Sequence, residues 1–183
     1  MSIAEVPVNS LLRHIEPLRE QLSRAASEVI ASGHFVLGAE VRNFEHAFAQ
    51  YCGVAHCVGM ANGTDALRLA LIAAGVGPGD TVVTVPFTFI ATTEAISHAG
   101  AMVEFVDIDP ATCLIDVNFL EDHLRKAFAQ RPRTERPTCV IPVHLYGQTC
   151  DMDSILALAQ RYEVRVLEDA SQAHGATYKR RAA

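Results

Sequence analysis

Positive charge is scarce in this chain. Fifteen lysines and arginines stand against 21 aspartates and glutamates, a formal net charge of −6 over 183 residues, and Lys126 and Lys179 are its only lysines. Nucleic acid and anionic membrane surfaces both select basic faces, so neither is expected as a partner. The two basic clusters, RPRTER at 131–136 and the stretch from Lys179 to Arg181, read as a solvated loop and a solvated tail. No window reaches the roughly 18 apolar residues of a membrane span. The opening residues, MSIAEVPVNSLLRH, also lack a basic stretch followed by a long apolar run. A cytoplasmic protein is expected. C-x-x-C is missing too: Cys52, Cys57, Cys113, Cys139 and Cys150 are odd in number and irregularly spaced. That spacing argues against a disulfide framework and a zinc site, and leaves them as small buried hydrophobes.

The common phosphate and nucleophile signatures are absent as well. There is no G-x-G-x-x-G, no G-x-x-x-x-G-K-[ST] and no G-x-S-x-G, which lowers dinucleotide, Walker-type and α/β-hydrolase readings.

What is present, at 50% hydrophobic and 20% charged residues, is the make-up of one globular domain. Apolar residues recur at helical spacing over 16–32 and 39–51, stopped by Gly33 and Gly53. Then short apolar runs alternate with helical patterns. Strands are expected at 57–60, 81–86, 102–109, 138–145 and 164–169, and helices after Gly63 and over 88–98, 117–129 and 152–161. Strands of continuous Val, Ile and Leu between helices indicate a parallel sheet covered on both faces. The expected fold class is α/β: three layers, a mostly parallel sheet with helices on either side.

Ligands of such sheets gather at the carboxyl ends of the strands, where four segments stand out. In NGTDA, Gly63 and Thr64 open a helix whose free amides suit an anion, although Asn62 or Thr64 equally serves as a plain cap. In PFTFIAT, Phe87 and Phe89 are core residues or a stacking surface for a flat ring. Asp169 closes an apolar strand in EDASQAH, where an isolated carboxylate is costly. It either pairs with Arg165 or a backbone amide, or faces a cationic ring nitrogen with Gln172 nearby. His144 in PVHLYGQ and His174 are structural groups or site residues. Asp107, Asp109, Asp151 and Asp153 sit at turn positions and suggest caps rather than a metal site.

Taken together and in this order, GHFVLGAEVRNFEHAFAQYCGVAHCVG, NGTDALRLAL, TFIAT, IPVHLYGQTCDMD and EDASQAHGATYK resemble the DegT/DnrJ/StrS group of sugar-nucleotide aminotransferases. These are fold-type-I pyridoxal-phosphate enzymes. The resemblance implies that Gly63 and Thr64 hold the cofactor phosphate, Phe89 stacks on the pyridine ring, Asp169 pairs with its nitrogen and Gln172 lies near the ring hydroxyl. It also implies a cytoplasmic homodimer that moves an amino group, with glutamate as donor, to a nucleotide-linked keto-sugar in amino-sugar biosynthesis.

The same resemblance implies a Schiff-base lysine well downstream of the E-D element. Neither Lys126 nor Lys179 matches that position, so no catalytic lysine is assigned. Where relatives continue Y-K-G-R, this sequence reads YKRRAA. Residues 1–183 are therefore expected to form an incomplete large domain, without the small C-terminal domain and the last strands of the sheet. The alternatives are a non-catalytic partner of a full-length homologue and a generic nucleotide-binding module.

Overall fold

The computed structural model describes residues 10–183. The chain divides into two compact units, one ending at Ala47 and one spanning Phe48–Ala183. The first contains α1 (Leu12–Ile15), a 3-10 turn (Glu16–Leu18), α2 (Arg19–Ser32) and the start of α3 (Ala39–Cys52). Gly33 ends α2 in the left-handed region at φ 67°, the usual role of glycine at a helix C-terminus. The apolar stripe read from the sequence is solvent-facing: Leu22 is 51% and Ile30 68% exposed.

The second unit carries the sheet. Its elements run α4 (Gly63–Ala73), β1 (Thr81–Thr84), α5 (Ala91–His98), β2 (Met102–Phe105), α6 (Val117–Gln130), β3 (Pro137–Val140), α7 (Met152–Tyr162) and β4 (Arg165–Val166). All pairings among the four strands are parallel, in the order β2-β1-β3-β4. Adjacent residues of one strand serve opposite layers. Val82 and Cys139 pack with Leu67 and Leu71 of α4 and Ile96 of α5. Val83 and Val140 pack with Leu120 and Leu124 of α6 and Ile155 of α7. The sheet is thus covered on both faces, as continuous apolar strands require. Within β1 the buried Thr84 hydroxyl donates to the Ile141 carbonyl oxygen at 2.9 Å.

Three expectations change. Residues 57–60 join none of the described sheets; Val58 is 67% and Met60 43% exposed, so the run lacks the apolar cover that a buried strand needs. The tail is not simply solvated: β5 (Thr177–Tyr178) and β6 (Arg181–Ala182) form an antiparallel hairpin. Its two central residues, Lys179 and Arg180, have φ of 49° and 69°, the geometry of a tight primed turn. Cys113 is exposed because it sits in a turn, its amide bonded to the Asp109 carbonyl oxygen at 2.7 Å. Cys139 and Cys150 are buried, and burial pushes their thiols up to about 11 and about 12.

Candidate active site

The chain leaves β1 for β2 on one side and returns to β3 on the other, which opens a crevice beyond the ends of β1 and β3. A cavity of about 340 Å³ lies there, built from the start of α4 and the segments that follow β1, β3 and β4. Gly63, Thr64, Phe89, Asp169 and Gln172 all border it. His174 does not; its ring meets the edge of Phe48 at a 5.6 Å centroid separation.

Asp169 is pinned by its backbone. Its amide donates to the Pro142 carbonyl oxygen at 2.9 Å, and its own carbonyl oxygen accepts from the His144 amide at 3.0 Å. The strand pairing therefore extends past β3 and β4 and aims this side chain at the cavity. Asp169 is only 6% exposed. Oδ2 accepts from the Thr92 hydroxyl at 2.7 Å and Oδ1 from the Ser171 amide at 3.2 Å. Because Thr92 gives its proton to the carboxylate, the Thr88–Thr92 contact at 2.9 Å has Thr88 as donor. Among the described residues no cation lies within 4 Å of Asp169, so the pairing with Arg165 is not made, whereas the pairing with a backbone amide is, through Ser171. A buried carboxylate with only neutral partners is suited to a cationic ligand atom.

α4 also begins at the cavity. Asn62 is its cap, with Oδ1 accepting from the Asp65 amide at 2.9 Å. The Gly63 and Thr64 amides have no partner among the described residues and lie at the positive end of the helix. Gly63 lies close against Ser171: a Cβ there would stand 3.0 Å from Ser171 Oγ, so the hydroxyl would have to shift. Phe87 and Phe89 are 49% and 67% exposed, which sets aside the core reading for both. Gln172 is oriented by its Oε1, which accepts from the Tyr146 amide at 3.0 Å.

His144 is fully buried. Its Nδ1 accepts from the Cys150 amide at 3.2 Å, so the proton of the neutral ring sits on Nε2, which donates to Glu168 Oε2 at 2.8 Å. This ring ties the β3 and β4 loops together. Thr88, Thr92, Ser171 and Tyr146 were not singled out from the sequence. The Thr88–Thr92 spacing of four, which places two hydroxyls on one helical face, was the available signal.

Both lysines lie elsewhere. Lys126 pairs with Asp122 at 2.6 Å and Lys179 pairs with Asp153, and neither borders the cavity.

The donor set fits a small planar cation that carries an anionic group: a buried acid without a cationic partner, an exposed aromatic, and open amides, all bordering one cavity. The cavity lies where a parallel α/β sheet presents its ligand site, beyond the carboxyl ends of the strands. The chain belongs to the DegT/DnrJ/EryC1/StrS aminotransferase family, whose profile matches residues 17–183. It is 42% identical, over 88% of its length, to the UDP-2-acetamido-2-deoxy-3-oxo-D-glucuronate aminotransferase of Pseudomonas aeruginosa, and covers 43% of that protein. Among solved structures, DesV of S. venezuelae in complex with a ketimine intermediate superposes with a TM-score of 0.89 at 39% identity, covering 99% of this chain and 46% of DesV. NtdA of Bacillus subtilis with bound cofactor PMP gives 0.86 at 33% identity, covering 97% and 39%. The chain thus spans under half the length of each.

Proposed function

We propose that this chain forms the cofactor-holding part of a pyridoxal-phosphate-dependent aminotransferase acting on a nucleotide-linked keto-sugar, with glutamate as amino donor. One observation carries the reading: Asp169, buried and without a cationic partner, shares a cavity with the open amides of α4. The names of the relatives and the PMP held by NtdA support the same chemistry. Residues 1–183 are read as an incomplete large domain of a cytoplasmic homodimer, with the small C-terminal domain outside it.

In this reading Gly63 and Thr64 donate their amides to the phosphate, and the α4 dipole favours its charge. Phe89 lies against the ring face, Gln172 donates to the ring hydroxyl oxygen, and Asp169 holds the proton on the ring nitrogen. When bound, pyridoxal phosphate supplies the electron-withdrawing ring that amino transfer needs. Thr92 and Ser171 fix the Asp169 carboxylate by one hydrogen bond to each oxygen, so that its charge faces the cavity. Because neither lysine borders the cavity, this chain's own contacts to the cofactor are non-covalent.

Equilibrium dialysis with pyridoxal 5'-phosphate tests the proposal. Asp169→Asn should weaken binding by about tenfold, the loss of one charge-assisted contact. Equal affinity in wild type and variant would overturn it, as would tight binding of a nucleoside diphosphate that ignores the substitution. The surface pairing of both lysines also favours a second reading, a non-catalytic partner of a full-length homologue. Co-purification with such a homologue in a ratio independent of cofactor would support that one.

A further inference from the structure

Tyr146 has φ 53° and ψ 25°, a left-handed conformation that a bulky side chain rarely adopts. Packing of its ring does not force this, because the residue is 86% exposed. The left-handed residue closes the tight turn over Leu145–Gly147, and within that turn the Tyr146 amide donates to Gln172 Oε1 at 3.0 Å. Gly147 follows at φ 87° and keeps the backbone close over the same residue; a Cβ on Gly147 would lie 3.5 Å from the Gln172 carbonyl oxygen. The turn is anchored upstream by His144, whose amide, Nδ1 and Nε2 are all engaged. Strained backbone held in place by its surroundings is a mark of functional geometry.

We propose that Tyr146 is a positioning residue, whose strained main chain clamps the Gln172 carboxamide by its oxygen. The amide nitrogen of Gln172, without a partner among the described residues, is then left to the cavity that Gln172 borders. The carboxamide thus offers its N–H donor to that corner of the site, which favours a ligand atom that is a hydrogen-bond acceptor. The inference rests on the reading above only for naming that atom, the ring hydroxyl oxygen of pyridoxal phosphate.

Amide hydrogen exchange followed by NMR tests the clamp without any cofactor. Gln172→Leu should speed exchange of the Tyr146 amide by about tenfold while leaving the Asp169 amide unchanged. An unchanged Tyr146 amide would overturn the proposal. The second arm measures binding of pyridoxal 5'-phosphate. Tyr146→Val, which disfavours the left-handed conformation, should weaken binding about fivefold, and Tyr146→Gly, which accepts it, should stay within about twofold of wild type. Combined with Gln172→Leu, Tyr146→Val should add nothing; effects that multiply would mean that the two residues act independently and would overturn the clamp. If no form of the chain binds the coenzyme, the proposed function fails, and the exchange result still decides the role of Tyr146.

Discussion

Three helices of the second unit begin with an Asn or Asp cap, but they are capped in two different ways. α6 and α7 carry their own anion. Asp116 Oδ1 accepts from the Asn118 and Phe119 amides at 2.7 and 3.2 Å. Asp151 accepts from the Ser154 amide and hydroxyl and from the Tyr178 hydroxyl. α4 is capped by the neutral Asn62; its acid, Asp65, stands three residues in and accepts from Asn62 Nδ2 at 3.2 Å, and the Gly63 and Thr64 amides have no partner among the described residues. A carboxylate at the cap ends a helix for structural purposes. A neutral cap leaves the positive end to be completed by a bound anion.

The contrast can be broken from either side. The largest effect is expected at α7. Asp151→Ala removes the cap together with the anchor for Tyr178, and should cost about 2 kcal/mol in urea unfolding while leaving pyridoxal phosphate affinity unchanged. The same site gives a pH signature. The Ser154 hydroxyl first, and then Tyr178, hold the Asp151 carboxyl below its ordinary value of 3.8. Its stabilisation is therefore present above that value and lost as pH falls through the lower folded value. The acid-side decline of the urea midpoint should flatten in Asp151→Asn.

A smaller effect of the opposite kind is expected at α4. Asn62→Asp keeps the cap and places a charge beside the open amides. The new carboxylate also replaces the donor that Asp65 Oδ2 accepts from, so stability should fall by about 0.5–1 kcal/mol, while coenzyme binding falls by roughly fivefold, about 1 kcal/mol. Equal affinity would show that the α4 amides do not receive the phosphate. The smallest change sharpens the α7 side. Arg180→Gly relieves a left-handed arginine in the hairpin that carries Tyr178 to Asp151, and should raise stability by about 0.5 kcal/mol.

The alternation of strands and helices was legible because both faces of the sheet are apolar, so Val82, Val83 and Val140 read as one continuous signal. The candidate site was legible at the strand ends, where Asp169 and the Gly63–Thr64 pair interrupt that signal. Their partners were harder to find. Thr92 and Ser171 are ordinary in sequence, and only the closeness of the loops makes them ligands of a carboxylate. The hairpin was missed because its turn uses Lys179 and Arg180 where Asn and Gly would announce it. The strand read at 57–60 shows the converse: a short apolar run marks a segment able to form a strand, but Val58 and Met60 are exposed and the segment joins none of the described sheets. α5 starts at Ala91 rather than at 88, because residues 88–90 make the bend that brings Thr88 and Phe89 to the cavity.

Thr84 also bears on alignment. In a strand that is oily on both sides, hydrophobicity alone punishes a sliding error weakly, since one valine replaces another. The Thr84 hydroxyl seated on the Ile141 carbonyl oxygen, together with the Thr138 hydroxyl on the Thr81 carbonyl oxygen, makes the correct alignment distinct. Sliding by one position would strand the Thr84 hydroxyl in the dry interior, at about 1–3 kcal/mol, and displace the segment leading to Phe89 by about 3.3 Å. Thr84 thus acts as a locating pin for the mouth of the cavity, several residues away from any ligand it would touch.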